Sequence, residues 1–167
     1  MTSLALRAIF DSYDLVKTDP GIALSRTRAH PCFTPPQLLG TLRVPWDTWT
    51  PVPQVFGVLM AHASIERSPL MRAIRTAFRE PDVFLSLRFS SGEEVQYRIV
   101  PDNAIQGLWL SPFPQSVSEL HDLLRTGRGR QVVAVRFSAG RLSRLYAPIT
   151  VSWAQLMPAA RKWTGVQ

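Results

Sequence analysis

The stretch from Val83 to Ser111, VFLSLRFSSGEEVQYRIVPDNAIQGLWLS, constrains the fold more than any other part of the chain. Val83, Leu85 and Leu87 alternate with Phe84 and Ser86, and Val95, Tyr97 and Ile99 repeat the period of two. A helix cannot bury such a pattern on one side, whereas a strand can. Ser90-Ser91-Gly92-Glu93 lies between the two runs, so they read as a β-hairpin. Pro101-Asp102-Asn103 reads as a second turn and Ile105 to Leu110 as a third apolar run, which together predict a β-meander.

The rest of the chain fits a mainly β protein of one domain, 1–167. Its 14 prolines and 9 glycines are dispersed, which favours many short elements. Strands are predicted within Leu4 to Val16, Leu38 to Val44, Val55 to Glu66, Gln131 to Phe137 and Leu145 to Trp153, and Ile22 to Ala29 reads as a short extended segment of mixed character. Val55 to Glu66 is apolar on both faces, as expected of a central strand covered on both sides. Turns are predicted at Thr18-Asp19-Pro20-Gly21 and Ser138-Ala139-Gly140, a surface loop from His30-Pro31 to Pro35-Pro36, and an irregular tail from Pro158.

Two short helices punctuate the strands. Ser68 can cap the first, Ser68 to Arg79, and Pro69 suits its first position. Leu70, Met71, Ile74, Ala77 and Phe78 form one side, with Arg72, Arg75 and Arg79 on the other. Such a helix packs across the end of a sheet or lies on a membrane surface. In the second, Ser116 to Arg125, Ser116 and Glu119 have capping-box spacing and Gly127 can close the end.

Charge is uneven. The chain has 19 basic and 12 acidic residues, yet no acid follows Asp122. That last third carries Arg125, Arg128, Arg130, Arg136, Arg141, Arg144, Arg161 and Lys162. An anionic partner would be attracted to Arg125, Arg128, Arg130, Arg141 and Arg144: a membrane surface, acidic glycan or nucleic acid. The plainer reading is a set of solvated arginines on strand faces. Zinc, RNP and basic-helix motifs are missing, so nucleic acid is the least expected of these partners.

Catalytic and cofactor motifs are not found. Cys32, the one cysteine, reads as a small apolar residue. His62 and Glu66 would share a face only on a helix, and they lie in a predicted strand without an HExxH motif, so no metal is expected. His30, His62 and His121 lack a linked serine and carboxylate pattern, and no hydrolase triad is predicted. Gly127-x-Gly129 follows a helix and is no dinucleotide fingerprint. No cofactor is expected.

Aromatic residues supply the candidate ligand contacts. Trp46 and Trp49 stand among Pro45, Pro51 and Pro53. They form either a stacking platform for a sugar ring or a plug at the end of a β-sandwich; the usual burial of tryptophan favours the plug. Trp109 lies in the third apolar run and is predicted to be more buried than Trp46.

The order of elements from Val55 to Trp153, with Phe78-Arg79-Glu80-Pro81, the string Tyr97-Arg98-Ile99-Val100-Pro101-Asp102-Asn103-Ala104, Gly107, Leu110-Ser111-Pro112 and the strand Val133-Ala134-Val135-Arg136-Phe137, resembles a known type of domain. It looks like the soluble domain that ends certain bacterial polytopic membrane proteins of the glycosyltransferase type. The resemblance implies an antiparallel β-sandwich of jelly-roll kind, similar to a carbohydrate-binding module. It also implies a place at the periplasmic face of the cytoplasmic membrane and a non-catalytic accessory role in glycan handling. A glycan, acidic or neutral, and the membrane-embedded part of a longer protein become the expected partners. Trp46, Trp49, Trp109 and Arg98 are then the candidate ligand-binding residues. No run reaches the roughly 18 apolar residues of a transmembrane helix, and MTSLALRAIFDSYD does not read as a signal peptide. An end of such a protein, or a free-standing relative, is therefore expected.

Overall fold

The computed structural model describes residues 13–18, 21–27, 33–72, 81–126 and 128–157. For 13–18, 21–27 and for 117, 121, 124 and 125 the description is of the backbone. Expectations for residues 1–12, for His30-Pro31 and Cys32, for the first helix beyond residue 72 and for the tail from Pro158 lie outside the described residues.

An antiparallel β-sandwich dominates. β1 (Tyr13–Thr18) and β2 (Gly21–Thr27) pair antiparallel, with Thr18 opposite Gly21. Eight further strands follow: β3 (Gln37–Val44), β4 (Thr50–Pro51), β5 (Val58–Ser64), β6 (Val83–Phe89), β7 (Glu94–Ile99), β8 (Leu108–Ser111), β9 (Val132–Ser138) and β10 (Ile149–Leu156). One sheet has the order β3-β10-β5-β8 and the other β4-β9-β6-β7. Counting β3 as the first of eight, these orders are 1-8-3-6 and 2-7-4-5, the jelly-roll arrangement.

The hairpin forms as its alternation requires. Val83 faces Ile99 and Leu87 faces Val95. Val83, Leu85, Leu87 and Phe89 are buried between the sheets. Gly92 has φ +87°, a conformation a side chain would strain, and its N–H donates to the Phe89 carbonyl at 2.9 Å.

The predicted meander is corrected. β8 pairs with β5 in the other sheet, and β7 is left as a sheet edge. The turn expected at Pro101 is a short helix, Pro101–Ala104, begun by N–H donation from Asn103 and Ala104 to the Val100 carbonyl. Proline at its start has no N–H to leave unpaired. This helix carries the chain across the sandwich. Alternation specified that β8 is a strand; it held no information about its partner.

The last strand also begins later than predicted. Gly140–Leu145 is a 3-10 helix, and β10 runs from Ile149 to Leu156. Gly140 takes φ +60° at its start.

Two cores result. Leu59, Ala61 and Ala63 of β5, Val135 and Phe137 of β9, and Val151 and Trp153 of β10 fill the space between the sheets. Val58, Met60, Trp109, Ala154 and Leu156 form a second core on the opposite face of the first sheet. Leu123 and the half-buried Leu120, from the helix Val117–Thr126, cover it together with Phe33. That accounts for the apolar character of both faces of β5. The Ser116 hydroxyl accepts the Glu119 N–H at 3.1 Å, and the Glu119 carboxylate accepts the Gln115 N–H at 2.8 Å, so the helix is capped from both directions. In the earlier helix, the Ser68 hydroxyl accepts the Met71 N–H at 3.2 Å.

Trp109 anchors the second core. Its indole N–H donates to the Pro112 carbonyl at 2.6 Å, and its ring meets Phe33 edge-on at 5.8 Å. Trp109→Ala is expected to lower unfolding free energy by about 3–5 kcal/mol, measured by urea titration. A midpoint equal to the parent's would show that the second core contributes nothing.

Candidate binding face

The second sheet buries one face only. On β6 the residues between the buried ones, Phe84, Ser86 and Arg88, point outward. Register then fixes their neighbours. Ser86 lies between Gln96 of β7 and Arg136 of β9. Arg88 lies between Glu94 and Ala134, and Phe84 between Arg98 and Ser138. Thr50 is opposite Val135 and buried, so Trp49, one residue earlier, falls on the outer face beside Arg136.

These side chains meet. The guanidinium carbon of Arg88 is 4.1 Å from the Trp49 ring centre, and that of Arg136 is 4.7 Å from it. Each such contact is worth about 0.5–1 kcal/mol at an exposed site. Arg88 also holds Glu94 at 2.8 Å, and Arg98 holds Asp82 at 2.9 Å. Arg136 makes no ion pair within 4 Å among the described residues, so its donors remain available. Ser86 is 3% exposed although it is on the outer face; its hydroxyl accepts from the Gln96 amide at 3.4 Å.

Asp47 borders the same face. It has φ +57°, and its N–H donates to the Phe137 carbonyl at 2.8 Å. The Ser143 hydroxyl lies 2.6 Å from its carboxylate and 2.7 Å from the Gly140 carbonyl; its single proton serves one of them at a time. Hydrogen bonds from Ser143 and then Ser138 hold the Asp47 carboxyl below the usual 3.8, against a small opposing effect of burial and with help from Arg136.

The other predicted site residues are dispersed. Trp46 is half-buried, donates its indole N–H to the Ala147 carbonyl at 2.8 Å and lies 5.1 Å from the Tyr146 ring. It closes the end of the sandwich, in the manner of the plug. Trp109 is 8% exposed, which makes it a core side chain and not a stacking surface. Of the four candidate ligand-binding residues, only Trp49 and Arg98 stand on the outer face.

The arginines of the last third do not form one patch. Arg128 is exposed beside a groove of about 520 Å³ between the helix Val117–Thr126 and the loop before β9. Arg130 lies over the Phe89 ring at 4.3 Å and is hydrogen-bonded to Glu93 and Gln115. Arg141 and Arg144 are exposed at the other end of β9, roughly 20 Å away along the strand. That exceeds the screening length of about 8 Å in physiological salt. The Arg125 side chain lies outside the described residues.

The Arg88–Trp49–Arg136 grouping was missed from sequence. Alternation around Leu87 and around Val135 could have placed both arginines outward. Their meeting with Trp49 depends on the pairing of β4 with β9. His62 offers its ring nitrogen to the Ile105 carbonyl at 3.2 Å, and among the described residues no group of three His, Cys, Asp or Glu could hold a metal.

Comparison with protein-family models, curated proteins and solved structures finds no match. Among the described residues, no helix is long and apolar enough to cross a membrane.

Because the folded Asp47 pKa lies below its unfolded value, the ionised carboxylate stabilises the fold above pH 3.8. That contribution is lost as pH falls through the lower folded value. Asp47→Asn, which tolerates positive φ, should flatten the fall in melting temperature below about pH 4. An acid limb identical to the parent's would exclude this role.

Proposed function

We propose that this jelly-roll domain is a non-catalytic binding module for cell-envelope glycan, belonging to a membrane protein of the glycosyltransferase type and facing the periplasm. The observation that carries the reading is the half-buried Trp49 on an outward sheet face, flanked by the guanidinium groups of Arg88 and Arg136. The indole holds the two guanidinium groups over its ring, and their outward planar donors suit the hydroxyl and carboxylate oxygens of a glycan. Gln96 and Arg98 extend the donor set along the same face. The resemblance of Val55 to Trp153 to the terminal domain of such proteins supports the same reading.

Affinity electrophoresis in gels containing acidic or neutral polysaccharide tests it. Retardation by at least one glycan is expected, weakened about ten-fold in Trp49→Ala, equivalent to about 1.4 kcal/mol. Retardation insensitive to Trp49→Ala would show that this face does not bind the glycan. No retardation by any glycan, with stronger retention of single-stranded RNA, would move the assignment to nucleic-acid binding.

A further inference from the structure

One end of the sandwich combines exposed apolar side chains with unpaired positive charge. Four connections meet there, described at residues 45–49, 65–72 with 81–82, 100–107 and 139–148. They are bonded to one another. Arg67 bridges to Tyr146 through its backbone and holds Asp102 at 2.9 Å through its guanidinium. The Ala147 N–H donates to the Glu66 carbonyl at 3.2 Å. Met71, Ala104 and Tyr146 are buried beneath, sealing the core.

On this seal Leu70 is 57% exposed, Val100 51%, Ile105 57% and Leu142 42%. Each stands on one of these connections, and Val100 and Ile105 flank the same short helix. Arg72, Arg141 and Arg144 are exposed at the same end and make no ion pair among the described residues. The carboxylates nearby are mostly committed: Asp102 to Arg67, Asp82 to Arg98 and Asp47 to Ser143. Glu66 is the exposed exception.

We propose that this end docks on an anionic lipid bilayer, with the apolar tips entering the interface and the arginines meeting lipid phosphates. Moving exposed aliphatic groups on separate, mutually fixed connections from water to the acyl boundary lowers their free energy. Arginines around them match a negative surface, each worth about five-fold in partitioning. A soluble polyanion would use the arginines alone and leave the aliphatic tips in water. In this orientation the strands stand away from the bilayer, and the face bearing Trp49 remains open to the side.

Vesicle flotation of the whole chain tests the proposal, with phosphatidylcholine alone and with added phosphatidylglycerol. Flotation is expected with phosphatidylglycerol and should fall steeply with salt. R141E/R144E together and, separately, I105D/L142D should each reduce it at least ten-fold. R128E, at the other end of β9, should leave it unchanged. Melting temperatures establish that each variant folds; if I105D/L142D does not, L70S/V100S replaces it. Ile105→Trp adds a direct reading, since a tip in the interface is quenched by brominated lipid. Absence of flotation at low salt overturns the proposal. So does an equal loss in R128E, or binding to acidic polysaccharide as strong as to vesicles and unchanged by I105D/L142D. Trp49→Ala should float normally, which separates this surface from the glycan face.

Discussion

β5 and β10 lie side by side within the first sheet, and both bury side chains on their two faces. Leu59, Ala61, Val151 and Trp153 face the second sheet, while Val58, Met60, Ala154 and Leu156 face away from it. An apolar sheet with two faces needs two covers. The second sheet supplies one, and the helix Val117–Thr126 with Phe33 supplies the other. The remaining architecture follows from this division. A second sheet that covers only one neighbour has its own outer face left for polar side chains. Trp49, Arg88, Arg136 and Gln96 occupy that face.

The two ends of the sandwich differ for the same reason. At one end the chain between β8 and β9 must travel over the first sheet as a helix and return. Arg130, bonded to Glu93 and Gln115, ties that return to the hairpin turn. At the other end four connections cross between sheets: backbone bonds around Glu66, Arg67, Tyr146 and Ala147 join two of them, Trp46 donates to Ala147 from the third, and Arg67 holds Asp102 of the fourth. Connections held by such bonds can leave apolar tips such as Ile105 and Leu142 outside the core.

Strand existence was legible where apolar residues alternate with a period of two or fill a short run. The hairpin β6–β7, the strand β9 and the two-faced strand β5 are visible in the spacing of Val, Leu and Phe. Helix starts were visible at Ser68 and Ser116, because capping acts over three residues. The turn at Gly140 was visible but the 3-10 helix Gly140–Leu145 was not: Leu145 resembles a strand opening, whereas Ser143 reaching Asp47 belongs to the helix. Trp46 and Trp49 are three residues apart and have different surroundings. One donates to Ala147 at the end of the sandwich, and the other lies against two arginines on a sheet face.

By itself the sequence determined a mainly β fold, its hairpin, a strand buried on both faces and the excess of arginine in the last third. Those properties come from periodicity and composition, which act locally. Only the tertiary structure decided that β8 crosses to the first sheet, that Arg136 stands beside Trp49, and that the late arginines divide between two ends of β9. Hydrogen-bonded pairing between strands distant in sequence decides such matters, and a strand's own residues do not name its partner.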